Sequence, residues 1–394
     1  MFQLIENEGQ LFEGIISLNR VPRVSFDLEF DRDRHTYGFD LCLMQVGFDN
    51  ECLIVDPLAI ESLQPLFDFF ENPEIQKLVH CPGEDLRLLH HLGCYPKNMA
   101  DTEVIAKLLN YEQTSLAKLL EIKCGIILNK KHQQSNWHLR PLHDEQLKYA
   151  ADDVLYLPRL YDILYAEAEQ KGISAWLEEE QNWLQTVKYT LERKTDFLKP
   201  GDKKNLSPWH AYVLNEIFVL RDRIGEKKNK PAYMIMPEDS ARSLADGSPE
   251  FHLQHLQGLH PSLRHGSASD ELKDNILGIF ATANKNGLSR TAARQFFSDE
   301  EREQYQLQKN RQKWLKDHFW APIQGRMADQ LGAFAARYIL SNGWITKWMN
   351  GELCWKDLQP AYKQELVKSY AADLHLNFGE IEAYEQEFTQ IASE

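Results

Sequence analysis

The sequence predicts an α/β domain with a mixed sheet over its first half, followed by all-α helical domains. Three observations carry this. Apolar runs with period-two alternation come first, at 23–30, 41–48 and 52–56, and the last two flank the turn signal Asp49-Asn50 in a hairpin pattern. Short runs at 76–80 and 98–102 then alternate with helical periodicity, as strands joined through helices do. From Trp209 onward no strand pattern appears.

Taken in order, residues 2–20 read as a short strand and an amphipathic helix with Leu11, Ile15, Ile16 and Leu18 on its apolar side. The opening strand 23–30 leads into a polar turn over 31–40 that contains Gly38. Helical text runs through Phe70 and breaks before Pro73; another helix starts at Gly83, and Asp101 or Thr102 can cap the one after it. Residues 123–143 combine Lys123, Lys130, Lys131, Arg140 and Trp137 and read as an exposed basic and aromatic loop. Leu147, Ala151, Val154, Leu155 and Leu160 predict a long helix over about 144–169, which Pro158 should kink or split. Glu178-Glu179-Glu180 reads as a solvated helix face, and 195–208 as a linker. Helices are expected at 208–227, 238–246, 251–257 and 269–284, and through a block over 290–394.

A chain of 394 residues exceeds one ordinary core, so two or three domains are expected. No apolar run approaches the roughly 18 residues of a membrane span. Residues 1–8 lack a basic region and a long apolar region, so no secretory leader is expected. Cys42, Cys52, Cys81, Cys94, Cys124 and Cys354 form no CxxC pair, which argues against a cysteine zinc site and fits a reduced, cytoplasmic compartment. The net charge of −15 argues against a protein that coats nucleic acid by charge alone. The charge is uneven, −14 over residues 1–190 and +2 over 191–290. Metal ions among the acids would reverse the local sign, so an acidic site can still accept a phosphate backbone.

The opening strand poses an electrostatic problem. Alternation puts Asp27 and Glu29 on one face, about 6–7 Å apart along the strand. Two readings fit this stretch alone: an edge strand with two solvated acids, or acids gathered round a divalent cation. Asp85, in the first turn of a helix, and Asp153, on the long helix, stand where one site can gather all four carboxylates. Asp85 alone would also suit a helix N-terminus. Tyr149 precedes Asp153 by four residues and shares its helical face. The set suits two-metal phosphodiester cleavage, with two hard cations roughly 4 Å apart. A phenol of pKa about 10 is a poor base, so Tyr149 is expected to orient the attacking water.

The segments Phe26-Asp27-Leu28-Glu29-Phe30, Val79-His80-Cys81-Pro82-Gly83-Glu84-Asp85-Leu86 and Tyr149-Ala150-Ala151-Asp152-Asp153 resemble, in order and spacing, the three exonuclease motifs of the DEDD superfamily. The Tyr-x-x-x-Asp form marks its DEDDy branch and favours Asp153 over Asp152; the DEDDh branch would carry histidine at the position of Lys148. Residues 137–142, Trp137-His138-Leu139-Arg140-Pro141-Leu142, are similar to a Trp-x-x-Arg-Pro-Leu segment of the ribonuclease D family, and Asp101-Thr102 matches its Asp-Thr element. Residues 220–245 resemble an HRDC module, with Gly225 where alanine is usual, and 290–394 resembles a second helical repeat.

The resemblance implies an RNase H-like exonuclease domain over 1–190, a linker at 191–207, an HRDC domain over 208–290 and a C-terminal helical domain over 291–394. It implies a metal-dependent 3′-5′ exoribonuclease that trims structured RNA, tRNA precursors above all, to nucleoside 5′-monophosphates. Asp27, Glu29, Asp85 and Asp153 would hold two Mg²⁺ or Mn²⁺ ions. RNA 3′ ends are the implied partner, and no membrane is. Lys131, Trp137 and Arg140 are candidate substrate contacts by stacking and phosphate pairing, or else anchors of their loop. His80 reads as a supporting histidine, and the Lys227-Lys228-Asn229-Lys230 run as a solvated turn or a phosphate contact. Trp209, Trp314, Trp344, Trp348 and Trp355 read as helix-packing residues. The alternatives are a DNA 3′-5′ exonuclease and a nucleic-acid-binding scaffold with an inactive nuclease fold.

Overall fold

The computed structural model describes residues 1–191, 193–246, 258–291, 298–381 and 383–384. Its first half alternates β1 (Phe2–Ile5), α1 (Glu8–Leu18), β2 (Arg23–Arg32), β3 (Phe39–Phe48), β4 (Glu51–Val55), α2 (Gln64–Glu71), β5 (Gln76–Val79), α3 (Gly83–His91) and β6 (Met99–Asp101). The strands form one sheet in the order β1-β4-β3-β2-β5-β6. β2, β3 and β4 are the antiparallel meander that the alternation predicts, while β5 joins β2 in parallel and β6 joins β5 in parallel. β2 is therefore an interior strand along Arg23–Ser25, and Asp27 and Glu29 just beyond are partly buried, not the solvated acids of an edge strand.

The two faces of the sheet are covered differently. Val24, Phe26, Leu28, Met44 and Val46 pack with Leu11, Leu66, Phe70, Leu86 and Leu89 of α1, α2 and α3. Four helices follow β6: α4 (Thr102–Leu108), α5 (Leu116–Cys124), α6 (Asp144–Leu155) and α7 (Leu157–Gln170). Leu147, Ala150, Ala151 and Val154 of α6 cover Leu43, Cys52 and Ile54 on the other face. Pro158 splits the long helix as expected. A proline suits the first turn of α7, where its missing N–H is not needed, but not the interior of a continuous helix.

The Glu178–Glu180 run lies on α8 (Ser174–Leu184); Glu178 is exposed as a solvated face requires, but the run ends in a buried acid. Glu180 is only 8% exposed. Its carboxylate receives the hydroxyls of Tyr338 (2.9 Å) and Tyr362 (2.6 Å) and pairs with Lys363 Nζ at 2.9 Å. Three partners offset the desolvation that a lone buried acid would suffer.

The expected linker is partly structured. Its residues 200–205 form α9 (Pro200–Asn205), and Phe197, Leu198 and Leu206 pack onto the next core. That core joins α10 (Pro208–Lys228), α11 (Ala232–Ile235), α12 (Glu238–Ala245) and α13 (Ser267–Lys285) through Trp209, Val213, Ile217, Leu244, Ile276 and Phe280. The helix expected at 251–257 lies outside the described residues. The module docks on the β2–β3 turn, where the Tyr37 hydroxyl donates to Asp222 (2.9 Å) and the Tyr233 hydroxyl to the Arg34 carbonyl (2.8 Å). Gly225 sits in this contact. A Cβ there would lie 2.8 Å from the Lys230 carbonyl and 3.3 Å from the Tyr37 ring, so the departure from alanine has a steric reason.

The last described helices, α14 (Asp299–Leu315), α15 (Ala321–Leu331), α16 (Ala333–Ile339), α17 (Asn342–Met349) and α18 (Ala361–Asp373), have among the described residues no core separate from the nuclease half. Trp320, Ile323, Ile339, Trp348 and Val367 share one with Leu108, Leu119, Leu160, Leu164 and Leu177. Trp209 and Trp348 are buried, and Trp344 and Trp355 pack around Trp320; Trp314 instead lies exposed against His318. No helix among the described residues is long and apolar enough to cross a membrane.

Candidate active site

β2 outruns its parallel neighbour. Only Arg23, Val24 and Ser25 pair with β5, so Asp27 and Glu29 lie beyond the end of that strand. Crevices at the carboxyl ends of parallel strands are where α/β sheets place ligands. A register shift between Glu29 and Phe30 then bends the strand away.

α6 is drawn close to this point. Ser25 Oγ donates to the Val154 carbonyl at 2.7 Å. Gly47 leaves the room, since a Cβ there would stand 2.6 Å from Ser25 Oγ and 3.2 Å from the Val154 carbonyl. This contact brings Asp153, the neighbour of Val154, to the β2 acids. One carboxylate oxygen each from Asp27, Glu29 and Asp153 lies within 4.8 Å of the others. Asp152 is not in this group, and neither is Asp85.

Asp85 stands beside the group and acts on it through its charge. Burial raises the pKa of Asp27, and the Asp85 carboxylate raises it further. Burial also raises Glu29, with Asp27, Asp153 and Asp85 adding to the effect. Burial raises Asp85 itself. The loop before α3 that delivers Asp85 is held by the Asp101-Thr102 pair. Asp101 Oδ1 accepts from the backbone N–H of Cys81 (3.0 Å) and of Glu103 (2.8 Å). Thr102 Oγ1 donates to the Val79 carbonyl (3.0 Å) and lies 2.8 Å from His80 Nδ1. Burial pushes the His80 imidazole down to about 4, so it is neutral at physiological pH and supports the loop rather than carrying charge.

Tyr149 and Asp153 line one cleft with Asp27, His80, Thr114 and Gln133; its volume is about 510 Å³. Burial, then the charges of Asp153 and Glu29, raises the Tyr149 pKa strongly, and the phenol hydrogen-bonds to Asp153. The wall formed by Thr114, Ser115 and Gln133 carries no spacing signal in the sequence.

Two candidate substrate contacts are corrected. Trp137 is 3% exposed and packs 6.2 Å from the Tyr149 ring, so its faces are closed to a base. The Arg140 guanidinium is fully engaged. Nε and Nη2 donate to Asp56, Nη1 to the Trp137 and Leu139 carbonyls, and Nη2 also to the Cys42 carbonyl. All five N–H donors are used within the protein, so none remains for a phosphate. Of the two readings, Trp137 and Arg140 anchor the loop. Lys131 is exposed, with Nζ 3.5 Å from Glu145.

The family model described as 3′-5′ exonuclease matches residues 2–169. The match spans less than half of the chain and is what these residues resemble. The matched segment contains the whole acid cluster and Tyr149, and it ends near the C-terminus of α7. Over 251 residues the chain is 33% identical to ribonuclease D of Zymomonas mobilis, covering 59% of this chain and 64% of that protein. Over 255 residues it is 28% identical to human exosome complex component 10, covering 60% and 28%. The ribonuclease D proteins of Nitrobacter hamburgensis, Zymomonas mobilis and Gluconacetobacter diazotrophicus are matched over 63–65% of their own length. Escherichia coli RNase D, described as an exoribonuclease involved in structured RNA processing, superposes with a TM-score of 0.67 over 95% of this chain and 99% of that one, at 21% identity. That likeness extends the shared fold beyond the exonuclease domain to the helical half.

Proposed function

We propose that the chain is a metal-dependent exoribonuclease that removes nucleotides from the 3′ ends of structured RNA, tRNA precursors among them, as nucleoside 5′-monophosphates. The observation that carries this is the convergence of Asp27, Glu29 and Asp153 within 4.8 Å. Among the described residues lining the cleft there is no lysine or arginine to neutralise them. Such a set of hard oxygen donors fits Mg²⁺ or Mn²⁺. Asp27, Glu29 and Asp153 would hold one ion, and Asp27 with Asp85 a second. When bound, such ions lower the pKa of the attacking water and offset charge on the departing oxygen. The raised pKa of Tyr149 keeps its proton in place. A neutral phenol orients a water by hydrogen bonding and does not take its proton. Thr114, Ser115 and Gln133 offer polar groups to the sugar and phosphate of the terminal nucleotide, in a cleft of small-ligand size.

RNA as substrate is supported by the ribonuclease D relatives, and the cytoplasm by the free thiols of Cys42, Cys52, Cys81, Cys94 and Cys124. We assign residues 1–190 to the nuclease domain and 208–290 to an HRDC-like module that positions the RNA, with Lys131 as an exposed phosphate contact. The test is digestion of RNA with a free or blocked 3′ hydroxyl, beside DNA of the same sequence, in Mg²⁺, Mn²⁺ or chelator. Stepwise release of monophosphates from the free RNA end is expected, stopped by the block and by the chelator. Equal rates on RNA and DNA would remove the RNA preference, and internal cuts would remove the exonuclease reading.

A further inference from the structure

The acid-bearing face of the sheet holds one buried polar side chain with no role so far. Gln45 is 0% exposed, and neither its amide nitrogen nor its amide oxygen has a hydrogen-bond partner. Its neighbours on that face are apolar. Leu43 and Gly47 flank it along β3, Ile54 is its partner on β4, and α6 covers the layer with Leu147, Ala150, Ala151 and Val154. On its other side, Gln45 is the direct cross-strand partner of Asp27. Directly opposed residues of an antiparallel pair point to the same face, with Cβ atoms about 4.5–5.5 Å apart. A buried primary amide in an apolar layer is unfavourable unless it finds a partner. The one polar group opposite it in register is the Asp27 carboxylate.

We infer that Gln45 is a positioning residue, whose side-chain amide donates to the Asp27 carboxylate when that acid engages a divalent ion. The inference rests on the metal-site reading above. Asp27 belongs to both proposed ion sites, so a donor that fixes its carboxylate acts on both. The amide brings no charge of its own. It restrains the rotation of Asp27 and leaves the other carboxylate oxygen to the ion, much as outer partners orient ligands in metal sites. Apolar neighbours close three sides, and on the fourth β2 presents Asp27 directly opposite, with Ser25 and Glu29 only diagonal to it.

The test uses the full chain with Gln45→Met, which keeps the volume and removes the amide. Mn²⁺ binding is measured by calorimetry, thermal stability without metal by melting, and kcat and KM on a 3′-unblocked RNA. The expected result is metal-free stability equal to or above that of the unaltered protein, Mn²⁺ affinity lowered about 5- to 20-fold, and kcat lowered with KM unchanged. Gln45→Asn, whose amide is one methylene short, is expected to fall between the two. Unchanged Mn²⁺ affinity in a folded Gln45→Met protein overturns this inference alone. A Gln45→Met chain that fails to fold overturns it as well, because an amide without a protein partner cannot be what holds the metal-free fold. Absence of Mn²⁺ binding by the unaltered protein overturns the metal-site reading, and this inference with it.

Discussion

Tyr149 and Asp153 stand one helical turn apart on α6, and the phenol hydrogen-bonds to the carboxylate. Two acids of β2 face the same point from below. The arrangement keeps the tyrosine protonated and ties its orientation to an acid proposed to hold metal. Tyr149→Phe should therefore lower kcat by about 10- to 100-fold, the scale on which misplacing a reacting group is felt. Mn²⁺ affinity, KM and melting temperature should stay within about twofold or a few degrees. A large loss of Mn²⁺ binding would make Tyr149 part of the metal site instead.

Arg140→Lys separates anchoring from substrate contact. Lysine cannot reproduce the fork that engages Asp56 and three carbonyls. The loop carrying Trp137 should loosen, and the Tyr149 ring packed beside it with it. The expected outcome is a lower kcat, a melting temperature several degrees lower, and an unchanged salt dependence of RNA binding. A phosphate contact would instead show as a raised KM and a shallower salt slope.

Lys363→Met removes the cation paired with Glu180 and leaves a buried acid held by two hydroxyls. Breaking a buried pair from one side costs about 3–5 kcal/mol. Melting should fall accordingly. Limited proteolysis should then release α14–α18, since this cluster ties α18 to α8. Adding Glu180→Gln should recover part of the loss, and a double mutant as unstable as the sum of the singles would show that the pair is not coupled.

How much of this was legible depends on the distance between partners. Asp27, Glu29, Tyr149 and Asp153 declare themselves because local spacing, two in a strand and four in a helix, decides which face they share. Pro158 likewise acts on its own helix. Glu180 does not declare itself. Three glutamates in a row look solvated, and the tyrosines and lysine that bury it lie at least 158 residues further along. Arg140 was ambiguous for the same reason, because its acid, Asp56, is 84 residues away. The interior place of β2 depends on a parallel crossover from β5, which alternation within β2 cannot report.

Lys77 gives a pH dependence. It is 0% exposed, and burial pushes its pKa down to about 8 from the usual 10.5. Between those values the folded chain has released a proton that the unfolded chain still holds. Unfolding therefore takes up a proton, and raising the pH opposes it. This residue's contribution should make the protein more stable as the pH rises from about 8 to 10.5, by about 3–4 kcal/mol at most. Lys77→Met should flatten that rise in denaturant titrations and raise stability at neutral pH. A slope that Lys77→Met leaves unaltered would assign the proton elsewhere.

The central claim is that Asp27 organises a metal-dependent hydrolytic site at the end of β2. Asp27→Asn tests it most directly, with Asp152→Asn as the neighbouring control outside the cluster. The measurement is release of nucleoside 5′-monophosphates from a 3′-unblocked RNA in Mg²⁺ or Mn²⁺, with folding checked by circular dichroism. Asp27→Asn should fold, and melt higher without metal because a like charge has left the cluster. It should lose activity by about 10³-fold or more, the scale of losing a preorganised electrostatic group, while Asp152→Asn stays within a few-fold of the unaltered protein. A folded Asp27→Asn protein that digests RNA at close to the unaltered rate would contradict the account.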